Sequence, residues 1–105
     1  MSTFRQFVPT KFVSAIQLLT FDFTGDLVFG ETISTQTVTC VVYSGTDPSP
    51  SAIISGSASA SGSVVTQKVT GGLVGNVYEL LCTITTSLSQ TLLKPAYLVL
   101  IPDLT

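Results

Sequence analysis

The sequence predicts an all-β protein, a β-sandwich of about seven antiparallel strands, and three observations support this. Short runs of alternating apolar and polar residues are separated by turn signals roughly every 8–12 residues, as in sandwich proteins. The length of 105 residues suits a single domain. Hydrophobic residues make up 45% of the chain and charged residues only 10%, while 29 residues are Ser or Thr, so the core is substantial and the surface is hydroxylated.

The N-terminal region divides into an arm and a first strand. We predict an extended arm over residues 1–14, because Pro9 interrupts it and no clean alternation is present. A single sandwich domain is predicted to follow over residues 15–105. Within that domain, the alternation over residues 19–23 favours a strand, although the apolar residues of 12–19 also fit a helical spacing.

The middle of the chain predicts one long strand and a hairpin. Residues 32–43 are rich in Thr and Val and alternate as a half-buried strand does. Two prolines and a glycine mark residues 44–51 as a loop. Residues 52–60 and 64–70 are then predicted to form a hairpin. A flexible linker over the Ser-, Ala- and Gly-rich residues 55–63 is the alternative, which would leave two fragments too small for separate cores.

The last two strands carry the clearest pattern. Residues 76–86 alternate strictly except at Leu81, and residues 92–101 form the final strand, in which Pro95 requires a bulge or an edge position. Taking the more apolar parity of each strand as its inward face predicts the core. The predicted core residues are Leu19, Phe21, Phe23, Val38, Cys40, Val42, Val65, Val69, Tyr78, Leu80, Cys82, Ile84, Leu98 and Leu100.

The composition argues against several classes of function. The chain contains no His and no Trp, so the commonest general base and zinc ligand are missing, and we expect no enzyme, no cofactor and no metal centre. A net charge of −2 without a basic cluster argues against nucleic-acid binding. No run of about 18 apolar residues predicts a membrane span. Asp22, Asp26 and Glu31 could offer oxygen ligands to calcium, but their spacing favours solvated turn acids.

A glycine-rich corner precedes the penultimate strand. Gly71, Gly72 and Gly75 lead into Tyr78, and this arrangement resembles the corner of immunoglobulin-like and fibronectin type III domains. The tyrosine hydroxyl of that corner bonds back to upstream backbone. The resemblance therefore implies an immunoglobulin-like or fibronectin type III-like sandwich. A phosphate-binding glycine loop is the alternative, but no helix follows and the motif lacks its lysine.

Two cysteines face inward on predicted strands. We expect Cys40 and Cys82 to lie in opposite sheets, and their separation of 42 residues is similar to that of the inter-sheet disulfide in immunoglobulin domains. Two buried thiols that act as small hydrophobic residues are the alternative. We favour the thiols, because no convincing signal peptide is present to indicate an oxidising compartment.

Two blocks of the sequence resemble a known family. The first block is Asp22-Phe23 and Leu27 with Gly30-Glu31-Thr32-Ile33, and the second is Gly71-Gly72, Gly75, Tyr78 and Leu80 with Thr86-Ser87 and Gln90. In this order and spacing, over residues 15–101, the chain resembles the small phage virion proteins known as fiber-tail adaptors. The family's Trp after the Thr-Ile step is absent here. Ser89 stands where the family usually has glycine, so we expect a different turn at that position.

The resemblance implies a structural role in a tailed bacteriophage. It implies an immunoglobulin-like module, in several copies in a ring at the tail or head–tail junction, that helps attach fibres. The implied partners are other virion proteins (portal, head–tail adaptor, nozzle or fibre proteins), with no nucleic acid and no membrane. The implied location is the virion, after assembly in the host cytoplasm. A capsid decoration protein is one alternative, and a carbohydrate-binding or adhesion module is another, which the absence of Trp disfavours.

Two apolar features are candidates for contact with such partners. One apolar residue interrupts the polar face of the penultimate strand, and three others alternate outward on the last strand, which predicts an apolar strip on the outer face of one sheet. The arm also carries apolar residues without an evident partner strand, so it is predicted to contact a neighbour or to fold back on its own sandwich. The candidate interface residues are Phe4, Phe7, Val8, Leu81, Tyr97, Val99 and Ile101.

Overall fold

The computed structural model describes residues 10–102, which contain seven β-strands and two short 3-10 turns. The 3-10 turns cover Thr24–Asp26 and Pro50–Ile53. The strands are β1 (Thr10–Phe12), β2 (Gln17–Asp22), β3 (Ile33–Ser44), β4 (Ile54–Ser61), β5 (Val64–Val69), β6 (Val77–Thr86) and β7 (Thr91–Ile101).

These strands form two sheets that pack face to face. The four-stranded sheet has the order β1-β7-β6-β3, and the three-stranded sheet has the order β2-β5-β4. The paired strands are antiparallel except β1 and β7, which run parallel. The predicted all-β sandwich is therefore confirmed. Within residues 10–102, no helix has the length and apolar character needed to cross a membrane.

The core lies between the sheets and follows the predicted alternation. Every predicted core residue is buried except Val38 and Val42, which are half-buried and pack against the core from β3. Because β3 is an edge strand, its inward side chains have a neighbouring strand on one side only. Two further residues complete the core: Ile53 from a 3-10 turn, and Ala96, which lies opposite Leu80 in the sheet.

The described part of the predicted arm belongs to the four-stranded sheet. Residues 10–12 form β1 and pair with residues 99–101 of β7. The candidate interface positions Phe4, Phe7 and Val8 lie outside the described residues. At residues 17–22 the chain is the strand β2 rather than the alternative helix.

A hairpin joins β4 to β5 and excludes the linker alternative. The two strands pair around the turn at Gly62, with a register shift between Ser55 and Ser59 that marks a bulge. Pro95 lies opposite Leu81 without a register shift. Since β1 pairs only with the last three residues of β7, Pro95 occupies the predicted edge position.

In the turn between β6 and β7, Ser89 adopts the left-handed backbone conformation that glycine usually supplies. Ser89 has a φ of 62°, so the expectation of a different turn at this position is corrected. The turn is closed on both sides, because Ser89 N–H donates to the Thr86 carbonyl at 2.9 Å and Thr86 N–H donates to the Gln90 carbonyl at 2.9 Å. These bonds hold serine in a conformation that glycine adopts more easily.

Replacing Ser89 by glycine is expected to raise the free energy of unfolding by about 0.5–1 kcal/mol. The left-handed conformation costs a residue with a side chain roughly 1–2 kcal/mol, and the greater freedom of glycine in the unfolded chain offsets part of this gain. Urea denaturation measures the difference. Ser89→Ala is the control, because alanine keeps a Cβ and should not raise the free energy of unfolding. A glycine variant no more stable than wild type would contradict the prediction.

Candidate functional site

One end of the sandwich is organised around a buried glutamate. Glu31 lies in the loop between β2 and β3, and one carboxylate oxygen accepts the Val28 N–H at 3.0 Å. The other oxygen accepts the Thr86 hydroxyl and, at 3.1 Å, the side-chain amide of Gln90. We call Glu31, Thr86 and Gln90 the Glu31 cluster. Since both oxygens accept hydrogen bonds, the cost of burying this carboxylate is offset.

Thr86 connects the cluster to the turn between β6 and β7. Its hydroxyl oxygen accepts the N–H groups of Leu88 at 3.3 Å and Gln90 at 3.2 Å. A second link joins the two loops, because Ser87 N–H donates to the Thr32 carbonyl at 2.8 Å and Thr32 N–H donates to Ser87 Oγ at 3.0 Å. Residues from both sequence blocks that carry the family resemblance therefore meet at this end of the sandwich.

The two aspartates of this end have local partners. Asp22 accepts the Thr24 hydroxyl and, at 2.9 Å, the Thr24 N–H, and these bonds hold the pKa of Asp22 below its ordinary value. Asp26 forms an ion pair with Lys94 at 3.0 Å. Within residues 10–102, no group of three or more Cys, Asp and Glu side chains is arranged to hold a metal ion. Asp22 and Asp26 are therefore turn acids with local partners, whereas Glu31, expected to be solvated, is buried in the cluster.

The opposite end of the sandwich holds the Tyr78 corner. The fully buried Tyr78 hydroxyl accepts the Leu73 N–H at 3.0 Å and the Asn76 side-chain amide at 3.3 Å, and it donates to Asp47 at 2.7 Å. Burial raises the pKa of Tyr78, and the bond to Asp47 raises it further. The sequence analysis did not single out Asp47 or Asn76, because polar residues in loops carry no periodic signal.

The backbone at this corner requires glycine. Gly71, Gly72 and Gly75 have φ values of 65°, 99° and 88°. At Gly72 a Cβ would also lie 3.0 Å from the side chain of Leu100. Side chains at these positions would therefore strain the turn that delivers the Leu73 N–H to the tyrosine hydroxyl.

A buried lysine fastens β1 to the same end. The Lys11 side chain is 1% exposed, and its Nζ donates to the carbonyls of Phe12 at 2.9 Å, Val13 at 3.0 Å and Gly71 at 2.9 Å. Three acceptors around one ammonium group offset much of its desolvation cost. A lone lysine near the N-terminus gives no sequence signal for this role, and the pattern of the neighbouring residues does not reveal it.

Cys40 and Cys82 lie in the same sheet, so the expectation that they occupy opposite sheets is wrong. β3 pairs with β6, which places Cys40 opposite Leu80 and Cys82 opposite Val38. Both cysteines are buried and free. The expectation would have required β3 to lie in the three-stranded sheet. That sheet contains β2, β5 and β4, and β3 instead pairs with β6 in the four-stranded sheet.

The two thiols are expected to make the protein less stable at alkaline pH. Burial raises the pKa of Cys40 to about 12 and that of Cys82 to about 11, from an ordinary value of 9.0. Above pH 9 the unfolded chain therefore loses thiol protons that the folded chain keeps. Their stabilising contribution is complete below pH 9 and declines as the pH rises through 11.

Urea unfolding at a series of pH values checks this expectation. The free energy of unfolding should fall with rising pH, and the fall should be smaller in the Cys40→Ala/Cys82→Ala variant. Any alkaline effect of Tyr78 is common to both proteins and cancels in the comparison. An identical pH slope for the two proteins would rule out the buried thiols as its source.

Apolar side chains share the outer face of the four-stranded sheet with threonines of β3 and β6. The predicted strip residues Leu81, Tyr97, Val99 and Ile101 are half-buried, and their strand register places them on this outward face. Further apolar residues with more exposed side chains continue the surface across the sheet. These additional residues are Phe12, Val41, Tyr43 and Leu93.

Two contacts connect the tyrosines and the glutamate of this surface. The ring of Tyr43 meets the ring of Tyr97 edge to face at a centroid distance of 4.9 Å. The Tyr97 hydroxyl donates to the Glu79 carboxylate at 3.1 Å. Glu79 is the one charged residue that strand alternation places on the outer face within residues 10–102. We call this surface the outer sheet face, and the apolar side chains exposed on it are of the kind that mark protein–protein contacts.

The fold and these sites define a structural β-sandwich module. Its Glu31 cluster and Tyr78 corner bond loops to one another, and its outer sheet face is available for contact with another protein. A family model described as "Podophage GP4 fiber-tail adaptor protein gp77" matches residues 11–98. The chain therefore belongs to this family, and it is a structural protein of the podophage tail. No curated protein matches the sequence significantly.

Proposed function

We propose that this protein is an adaptor at the tail or head–tail junction of the virion, where several copies in a ring help attach the fibres. Membership of the fiber-tail adaptor family supports a place in the tail. In this proposal its partners are portal, head–tail adaptor, nozzle or fibre proteins, and it joins the particle during assembly in the host cytoplasm. The proposal assigns it no catalytic step.

An immunoglobulin-like topology is part of the proposal. The strand orders β2-β5-β4 and β3-β6-β7 correspond to the B-E-D and C-F-G orders of constant-type immunoglobulin domains. Tyr78 lies near the start of β6 and receives a backbone bond from Leu73, as the tyrosine of strand F does in that fold. In this topology the free cysteine of β3 belongs to strand C, which does not contribute to the usual inter-sheet disulfide.

The observation that carries the proposal is the outer sheet face. Val41, Tyr43 and Leu93 are exposed on one sheet. A partner that covers them would be stabilised by roughly 25 cal/mol per Å² of apolar area removed from water. Its charged residue, Glu79, accepts the Tyr97 hydroxyl but keeps its negative charge, so a partner that covers it would have to supply a cation or further hydrogen-bond donors there. These properties suit a partner whose contact surface is apolar except for a positive or donor group opposite Glu79.

A reconstitution experiment tests this role. Tails are purified from a deletion mutant that lacks the gene for this chain, and the purified protein is added back. Wild-type protein is expected to bind these tails and restore fibre attachment. Val41→Lys and Leu93→Lys place a charge on the exposed outer sheet face, and each is expected to weaken binding at least about tenfold, because the new ammonium group would be buried without a partner.

Leu18→Lys provides the matched control. Leu18 is 60% exposed, similar to Val41 at 52% and Leu93 at 55%, but it lies on β2 in the other sheet. This variant should bind tails as wild type does. Failure of the wild-type protein to bind the depleted tails would contradict the adaptor role, and equal loss for all three lysine variants would remove the outer sheet face from it.

A further inference from the structure

The three-stranded sheet ends at β2 with an open edge. Phe23 N–H donates to the Ser63 carbonyl at 2.9 Å, on the side of β2 that faces β5. Backbone groups of successive residues point alternately to the two sides of an antiparallel strand. The N–H and C=O groups of Leu18 and Thr20 therefore point away from β5. Within residues 10–102, no strand pairs with β2 on that side.

This edge lacks the features that prevent pairing at other edges of the sandwich. The edge strand β4 has a bulge between Ser55 and Ser59, and Pro95 removes an N–H group from the outer edge of β7. In contrast, β2 pairs with β5 over all six of its residues without a register shift, and it contains neither proline nor lysine. A regular strand edge of this kind is a site where another extended segment can pair.

The chain before β1 cannot continue the pairing with β7. Val13 N–H donates to the Ile101 carbonyl at 3.0 Å, and in a parallel pair the N–H groups of every second residue point toward the partner strand. Lys11 and Pro9 follow in this alternation. Proline has no N–H group to donate to β7. We therefore expect the chain to leave β7 at Pro9, in agreement with the start of β1 at Thr10.

Residues 1–8 have the length and direction to reach the open edge of β2. Packed sheets lie about 10 Å apart and an extended residue spans about 3.3 Å, so two or three residues cross between the sheets and about five remain for pairing. β2 itself has six residues. A turn closed by the bond from Ala15 N–H to the Phe12 carbonyl, at 2.9 Å, reverses the chain between β1 and β2. A segment that continues backward from β1 therefore runs antiparallel to β2.

The side chains of the two segments are complementary. Arg5 is the one charged side chain of residues 1–9, and Asp22 is the one charged side chain of β2 and is exposed. Strand alternation places Phe4 and Val8 on the face opposite to Arg5. When Arg5 faces solvent beside Asp22, these two apolar side chains face the core. Opposite charges on neighbouring strands and the burial of apolar groups both favour this pairing.

We propose that residues 1–8 pair with β2 of the same copy as an additional antiparallel strand, bonded to the backbone groups of Leu18 and Thr20 and with Arg5 beside Asp22. In the immunoglobulin-like topology proposed above, this strand occupies the A position beside strand B. The arm then closes the edge of its own sandwich, and contacts with other virion proteins are made by the outer sheet face. The pairing is a property of the purified chain and does not depend on the adaptor role.

Amide hydrogen exchange, followed by NMR, tests the pairing. The N–H groups of Leu18 and Thr20 are expected to exchange at least about tenfold more slowly in the full chain than in a chain that lacks residues 1–8. Leu19 N–H points toward β5 and should exchange similarly in both, which shows that the shorter chain is folded. In the full chain, Arg5→Glu should speed exchange at Leu18 and Thr20, and Arg5→Lys should not. Equal exchange of these two amides with and without residues 1–8 overturns the proposal.

A spin label then distinguishes the arm of the same copy from that of a neighbour. Ser2→Cys carries the label in the Cys40→Ala/Cys82→Ala background, and we expect it to broaden the NMR signals of β2 near Asp22 when label and isotope are on one chain. Broadening in a mixture of spin-labelled chains and separate isotope-labelled chains would indicate another copy's arm and overturn the same-copy pairing. Broadening along β7 near Leu93 instead would overturn β2 as the site.

Discussion

Replacing Leu80 by alanine is expected to lower the free energy of unfolding by about 2–5 kcal/mol. Leu80 is fully buried at the middle of β6, with Cys40 and Ala96 opposite it on the two neighbouring strands. Alanine would remove apolar contacts and leave a cavity that regular strands on both sides cannot easily close. The effect is large because β6 is an inner strand of its sheet.

Urea denaturation with an unchanged m-value measures this loss. Thr83→Ala on the outward face of the same strand is the matched control, and it should change the free energy of unfolding by no more than about 0.5 kcal/mol. A loss below about 1 kcal/mol for Leu80→Ala would mean that the inward parity assigned to β6 does not describe the protein in solution.

Replacing Tyr78 by phenylalanine is expected to cost about 1–3 kcal/mol. The ring would remain in the core, but the hydroxyl is the acceptor for the Leu73 N–H and the donor to Asp47. Without it, partly buried polar groups lose their partners, and unpaired buried groups carry their full desolvation cost. The corner between β5 and β6 would also lose the bond that connects it to the core.

Tyr97→Phe is the control for the same chemical change. Its hydroxyl also donates to a carboxylate, that of Glu79, but the pair lies on the outer sheet face where water replaces the lost bond. We expect this variant to change the free energy of unfolding by no more than about 0.5 kcal/mol. Equal losses for the two tyrosine variants would show that the corner bond has no special role.

Alternation predicted most of the fold because it reports directly on which side of a strand faces the core. β6 shows this best, since Tyr78, Leu80 and Ile84 were assigned inward and are fully buried. Alternation carries no information on which strands share a sheet, and for this reason Cys40 was assigned to the wrong sheet. Ile53 was missed because it is buried from a 3-10 turn, where no period of two exists.

The polar sites were harder to predict for a different reason. Glu31 and Thr86 are 55 residues apart in sequence, so their bond depends on the folded arrangement of two loops. The family resemblance included both residues, but neither composition nor spacing indicated that they touch. Lys11 is similar, because its acceptor at Gly71 lies 60 residues away and is a backbone carbonyl that any sequence supplies.

The two ends of the sandwich and its outer sheet face have different roles. The Tyr78 corner and Lys11 hold one end, and the Glu31 cluster positions the loops at the other. Between them, the outer sheet face exposes apolar side chains, and its Glu79 carboxylate accepts the Tyr97 hydroxyl. In the proposed adaptor, this face contacts a different virion protein.

Electron cryomicroscopy of the intact virion that encodes this chain tests the central claim most directly. We expect density for the sandwich in several copies around the tail, between the tail body and the fibres. The side chains of Val41, Tyr43 and Leu93 should lie against a neighbouring protein. Density for the chain on the capsid shell, or at the tail with the outer sheet face open to solvent, would contradict the account.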